Sequence, residues 1–240
     1  MDRHPGALGL NTPGPDVKAS QLVELVAAHR ACRRCVAAGH LERAHPVFSG
    51  RSAKQRILLV GQAPGPIETD TGRPFAGRAG RQLMRWLTRT GFADEAGVRA
   101  QVWITSVTTC FPGRRPDGSG DRRPSPAEVA LCAPWLDSVL ALLAPRLVVP
   151  VGSLALQRIV GPGRRLDDTV GAVLDGSGRL LQPGAAAPER VVVALPHPSG
   201  QSRWLNDPGR VALLEDALQR LARLVPWALT AAPGITLPDW

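Results

Sequence analysis

The chain has 240 residues, enough for one large domain or two small ones. Its 44 % apolar composition excludes a disordered tail, and its 23 prolines and 25 glycines exclude a coiled coil or any long uninterrupted helix. Basic residues outnumber acidic ones by 29 to 20, a net charge of +9, and all but Lys18 and Lys54 of the basic residues are arginines. That excess points to a polyanionic partner, nucleic acid first, although a biased genome composition produces the same arginine skew.

Residues 1–18 are rich in Pro and Gly and read as a loose segment. Residues 19–30 follow as an amphipathic helix, with Leu22, Val23, Val26 and Ala27 at helical spacing. Four short apolar runs then read as buried strands: 57–61 (ILLVG), 102–107 (VWITSV), 147–152 (LVVPVG) and 191–195 (VVVAL). Their continuous apolar character fits parallel strands covered on both faces. Pro150 is awkward in a central strand, because it has no N–H for the ladder. Helical segments at 80–90, 125–143, 153–160 and 210–224 separate and follow these runs. The second has Ser125 as N-cap, Pro126 in the first helical position and Glu128 three residues after the cap. Residues 175–190 read as a surface loop, and the tail from 226 to 240 takes no assignment.

This alternation predicts a three-layer α/β/α fold around a central four-stranded parallel sheet. It is expected as one domain over 19–225, between a flexible segment (1–18) and a tail (226–240). Ligands in such folds sit at the carboxyl ends of the strands, where the segments 61–78, 106–124 and 196–209 lie. No run of 18 apolar residues spans a membrane and no signal-peptide core opens the chain, so no membrane partner and a cytoplasmic location are expected. Nothing points to a symmetric oligomer, and a monomer is expected.

The segment after the first run, GQAPGPIETDTGRPFAGRAG, lacks both the GxxxxGK[ST] and the GxGxxG patterns, so neither a nucleoside-triphosphate loop nor a dinucleotide site is expected. Its glycines permit close backbone approach to a ligand. Phe75 is placed to present a ring for base stacking, and Glu68 and Asp70 are acids in a basic stretch. Four cysteines, Cys32, Cys35, Cys110 and Cys132, are soft ligands that favour zinc or an iron–sulphur cluster over hard metals, and spacing alone does not separate the two. Between the last two lies FPGRRPDGSGDRRPSPA, where Arg114, Arg115, Arg122 and Arg123 predict a mobile loop that contacts DNA phosphates.

The run GQAPG…TGRPFAGRAG, with His197-Pro198-Ser199 after the fourth strand and the four cysteines, resembles the uracil-DNA glycosylase superfamily over about residues 30–222, and most closely its iron–sulphur, family 4-like branch. The resemblance implies a [4Fe–4S] cluster on the four cysteines, with zinc as the less favoured occupant. It implies a monofunctional glycosylase that hydrolyses the N-glycosidic bond of uracil in single- or double-stranded DNA, leaving an abasic site in base excision repair. His197 would stabilise the departing base anion. Phe75 would stack on the extruded base, and the backbone of Gln62 and Ala63 would receive a uracil carbonyl. Ser199 would anchor a phosphate. Gln201, Ser202, Arg203, Trp204 and Leu205 would form the minor-groove wedge, with Trp204 or Leu205 as the plug.

This sequence departs from the pattern in two places. Ala63 stands where the best-known family has a water-handling aspartate, which leaves Glu68 first and Asp70 second as catalytic carboxylates. Ser106 stands where the iron–sulphur branch carries an asparagine that reads the uracil edge, and one hydroxyl cannot make the bidentate amide match. Altered base specificity (hypoxanthine, xanthine or a damaged pyrimidine) is the first alternative, and a lesion-binding protein with little turnover is the second. A third reading is a zinc-bound α/β protein acting on a nucleotide. The arginine loop holds no histidine of the kind through which one relative crosslinks to DNA, so turnover is expected. With only Lys18 and Lys54 available, both outside the motifs, a Schiff-base lyase is not expected.

Overall fold

The structure, a computed structural model, describes residues 15–50, 52–200, 203–230 and 236–240, with the side chains of all of these except 15, 16 and 203. The elements in chain order are α1 (Pro15–Arg30), α2 (Arg34–Ala37), β1 (Ile57–Gly61), α3 (Pro66–Thr71), α4 (Arg78–Leu87), α5 (Glu95–Gln101), β2 (Val102–Ser106), α6 (Pro126–Leu143), β3 (Leu147–Pro150), α7 (Ser153–Val160), β4 (Leu174–Asp175), β5 (Val191–Val192) and α8 (Pro208–Thr230). Short 3₁₀ turns lie at Thr88–Thr90 and Arg203–Asn206.

The strands form one five-stranded sheet in the order β2-β1-β3-β5-β4. β1 pairs in parallel with β2 and with β3, in the registers Leu59↔Ile104 and Leu59↔Val149, and β3 pairs in parallel with β5. β4 runs antiparallel to β5, with Leu174 opposite Val192. The expected four-stranded parallel sheet is therefore corrected to a mixed, five-stranded one within an α/β/α arrangement. β4 escapes the sequence pattern because it is two residues long and runs straight into a turn. The Asp175 carboxylate accepts from the backbone N–H groups of Ser177 and Arg179 at 2.9 and 3.0 Å, so the segment reads as turn chemistry rather than strand.

Every residue of β1, β2 and β3 is buried, as continuous apolar runs require when both faces are covered. Pro150 ends β3. Regular β3–β5 pairing stops at Val148↔Val192 and resumes only as the single bridge Val151↔Leu195, so the missing N–H falls where the ladder is already interrupted. The free side of β2 is covered by an antiparallel bridge from Ser49, whose N–H and C=O exchange 2.8 Å bonds with Ile104.

The expected helices are all present, and all but the one at 153–160 differ from expectation in extent. α6 begins with the expected capping box, Ser125 Oγ accepting from the Glu128 N–H and the Glu128 carboxylate from the Ser125 N–H. By length and apolarity α6 passes as a membrane-crossing helix, but Leu136, Val139 and Leu143 are buried in the core and Glu128 and Asp137 are ion-paired. α1 starts at residue 15, four residues before the expected start, so part of the segment expected to be loose is helical. Leu22 and His29 of α1 are buried, whereas Val23 is 70 % exposed. α8 runs six residues past its expected end, burying Val225 and Ala228, and Leu237 of the tail is buried and donates its N–H to the Ala185 carbonyl.

β1 lies between β2 and β3, so the chain leaves it to one side first and reaches the other side only after β2. This reversal is the topological switch that opens a crevice at the carboxyl ends of such strands. Gly50 packs against the buried Trp103: a β-carbon on it would lie 2.0 Å from the indole ring. Gly50→Ala is expected to destabilise the fold by about 1–3 kcal/mol through overpacking, read as a lower urea midpoint at unchanged slope.

Candidate active site

A cavity of about 130 Å³ opens at the carboxyl ends of β1 and β2, lined among others by Ala63, Glu68, Phe75, Ser106, Asp121 and His197. Three segments distant in sequence meet there, because the parallel sheet brings its strand ends to one edge. Ser106 closes β2, and its hydroxyl makes no hydrogen bond among the described residues. Ala63 follows β1, and its backbone N–H is likewise without a partner among them.

Phe75 sits in the turn between α3 and α4 with φ of 53°, in the left-handed region that a phenylalanine rarely adopts. Two features hold it there. Arg99 of α5 donates to the carbonyls of Pro74 and Phe75 at 2.9 and 3.1 Å, while its Nε pairs with Glu95. Gly80 passes so close that a β-carbon on it would lie 2.0 Å from the Phe75 carbonyl oxygen. The ring itself lies over Gly61, where a β-carbon would stand 2.8 Å from the Phe75 Cζ and 3.1 Å from the Ser106 Oγ. These glycines provide room for close approach, and the aromatic wall of the cavity depends on them.

Glu68 clamps the same loop. One carboxylate oxygen accepts from the Gly65 N–H at 3.1 Å and the other from the Gly77 N–H at 2.8 Å, tying the start of α3 to the start of α4. Asp70 is exposed and is not among the residues lining the cavity. Gln62 is half-buried beside the cavity, and its carbonyl accepts from the Thr108 N–H.

His197 follows β5, with Gly152 against its ring. Its Nδ1 lies 2.9 Å from the Ser199 Oγ and 3.3 Å from the Ser199 backbone nitrogen. An amide N–H can only donate, so Nδ1 accepts and the ring proton resides on Nε2. Burial holds the imidazole below its ordinary pKa, so the ring is neutral near pH 7. Ser199, expected to anchor a phosphate, contacts this histidine. Trp204 donates its indole N–H to Asp167 at 2.7 Å and lies under the Arg210 guanidinium, which pins it, while the neighbouring Leu205 is half-buried without such a tether. Gln201 and Ser202 lie outside the described residues, as does the side chain of Arg203.

The arginine-rich segment is an ordered hairpin rather than a slack loop. Arg114 and Asp121 form an antiparallel bridge, and the Arg122 N–H donates to the Gly113 carbonyl. Arg122 makes a bidentate pair with Glu128 at 2.7 and 2.6 Å, and the Arg122 guanidinium holds the Glu128 carboxyl down at about 2. Arg122 is thus committed to the fold, while Arg114, Arg115 and Arg123 are exposed. Three features of this site escaped the sequence reading: the Arg99 brace, the Arg122–Glu128 anchor and the presence of Asp121 in the cavity. An acidic residue among four arginines reads as solvated, and only the hairpin pairing shows where it faces.

The expected [4Fe–4S] cluster, and zinc in its place, are corrected. Cys32, Cys35, Cys110 and Cys132 line one separate cavity, but among the described residues no group of three or more His, Cys, Asp or Glu side chains is arranged to hold a metal ion, and all four are free thiols. Burial pushes the Cys35 thiol up to about 11 and that of Cys110 up to about 12. The Cys32 sulphur accepts from the Trp135 indole N–H at 3.2 Å.

The sequence pattern of the Uracil DNA glycosylase superfamily matches residues 48–222. The chain belongs to that superfamily, whose members are hydrolases acting on bases in DNA. Within it the chain is homologous to the type-4 uracil-DNA glycosylases. It is 33 % identical to the type-4 enzyme of Thermotoga maritima over 58 % of this chain and 67 % of that one. It is 32 % identical to that of Pyrobaculum aerophilum over 60 % and 69 %. A type-5 uracil-DNA glycosylase of Thermus thermophilus is 32 % identical over 57 % of this chain and 62 % of its own length.

Gly80→Ala displaces the Phe75 turn and is expected to slow base release by about 10²-fold with far-UV circular dichroism unchanged, since a displacement of about 1 Å is enough for such a loss. Arg122→Ala leaves Glu128 buried without its partner and is expected to cost about 3 kcal/mol at pH 7 by urea unfolding. Glu128 ionises more readily folded than unfolded, so the pair's contribution is complete above the ordinary carboxylate range and is lost as pH falls towards 2. The gap between wild type and variant should close over that interval.

Proposed function

We propose that this chain is a monofunctional uracil-DNA glycosylase, which hydrolyses the N-glycosidic bond of uracil in DNA and leaves an abasic site. The observation that carries the reading is a neutral His197 with its proton on Nε2, in a cavity it shares with the Phe75 ring and the free Ser106 hydroxyl. Breaking the bond between C1′ and N1 leaves negative charge on the base. A neutral N–H held in place before the reaction stabilises that charge without a proton transfer. Phe75 supplies the stacking surface for an extruded nucleotide, and the unpaired Ala63 N–H is a donor for a base carbonyl. Of the two plug candidates, Leu205 is the better, since Trp204 is held by Asp167 and Arg210. Arg114, Arg115 and Arg123 are the phosphate contacts of the hairpin.

A second reading is favoured by Ser106. Its single hydroxyl both donates and accepts, so it meets the edge of uracil with less discrimination than an amide, and hypoxanthine or xanthine compete for the same cavity. Single-turnover excision from labelled oligonucleotides carrying uracil, hypoxanthine or xanthine separates the readings. Uracil is expected to be released fastest, His197→Ala to slow release by about 10²–10³-fold, and Ser106→Asn to widen the margin between uracil and the purines. Faster release of either purine would establish the second reading. Tight retention of uracil-DNA with no release of any base would make the protein a lesion-binding one.

A further inference from the structure

Of the three carboxylates near the cavity, one is free to act. Asp70 is exposed and does not line it, and both oxygens of Glu68 are taken by the Gly65 and Gly77 amides. Asp121 lines the cavity, and its carboxylate accepts no hydrogen bond among the described residues. A β-carbon on Gly65 would stand 2.9 Å from the Glu68 Oε2 and 3.2 Å from the Asp121 Oδ2, so the two carboxylates flank one point of the loop. Asp121 as a residue is solvent-exposed, which places it at the mouth rather than the floor. The Phe75 ring lies over Gly61 at the end of β1 and Ser106 closes β2, so a base entering the cavity leaves its deoxyribose at that mouth. The position is fixed from outside: the hairpin pairs Arg114 with Asp121, and the next residue, Arg122, is bolted to Glu128 at the start of α6.

We propose that Asp121 is the catalytic carboxylate of this site, holding the attacking water against C1′ at the cavity mouth. This rests on the glycosylase reading above. As the bond between C1′ and N1 breaks, its electron pair leaves with the base, whose anion is held by the Nε2–H of His197. The cationic sugar faces the Asp121 carboxylate. The water oxygen then bonds to C1′, its proton passes to Asp121, and from there it reaches solvent or the released base, which restores the carboxylate. Glu68 is a positioning residue for the loop.

The charged groups facing Asp121 are Arg114 across the hairpin and Glu68 of α3, and the neutral His197 lines the same cavity. Burial raises the affinity of Asp121 for its proton, Arg114 lowers it and Glu68 raises it, for a net upward direction. A carboxylate in this role must be ionised, so excision should fail towards acid pH earlier than an ordinary carboxylate requires.

The test is single-turnover excision of uracil across a pH series by wild type, Asp121→Asn, Asp121→Glu and Asp117→Asn, with binding measured on an oligonucleotide carrying an uncleavable uracil nucleotide. Asp121→Asn is expected to excise about 10²-fold more slowly or worse, to bind the uncleavable DNA at least as well as wild type, and to lose the wild-type acid limb. Asp121→Glu should recover part of the rate. Asp117→Asn, at the exposed tip of the same hairpin, should match wild type. Excision by Asp121→Asn within about twofold of wild type, with the same pH profile, would overturn the role of Asp121 and leave the glycosylase reading standing. A denaturation-resistant DNA adduct formed by wild type and absent in Asp121→Asn would replace water-holding by direct attack. No excision by wild type itself would remove both.

Discussion

Glu128 is 3 % exposed at the first turn of α6, and a carboxylate in that position has to be answered. It is answered three times, by the two guanidinium nitrogens of Arg122 and by the Ser125 N–H. One anion therefore starts the helix, closes the capping box and holds the base of the arginine hairpin. The hairpin would otherwise be a run of glycines, prolines and like charges with little reason to adopt one shape. Because Arg122 cannot leave Glu128 without stranding it, its neighbour Asp121 has a defined address at the cavity mouth.

A second constraint works on the opposite wall. The Phe75 backbone is in a conformation that costs about 1–3 kcal/mol for such a residue, and it persists because Arg99 grips two successive carbonyls while Glu68 ties the loop ends together. Arg99 does not line the cavity, and Glu68, which does, has both carboxylate oxygens taken by loop amides. The sheet contributes the floor, the clamped loop one wall and the hairpin the rim.

Much of this was legible in the residues. The four apolar runs stand as β1, β2, β3 and β5, and the helix at 153–160 keeps its limits, because burial on both faces and capping chemistry leave strong local marks. The site motifs were legible as well: Ala63, Phe75, Ser106 and His197 line one cavity. The less legible parts depended on tertiary partners. β4 is two residues, of which Asp175 carries turn chemistry. The role of Glu68 as a clamp needs Gly77, nine positions away and across a loop of undefined shape. Asp121 sits in a basic run whose local character hides its direction. The cysteines mark the opposite failure: their spacing invites a metal, but spacing does not state how four sulphurs are arranged in space.

The strained turn at Phe75 has a consequence for how fast DNA is searched. A binding wall that formed only around its ligand would charge the ordering of loop and ring to every encounter, and affinity would fall by that amount. Here the energy is drawn from the stability of the fold, once, when the chain folds. A nucleotide that swings out of the helix for an instant meets a finished surface, and the time it must remain exposed before capture is set by its own motion rather than by the protein's.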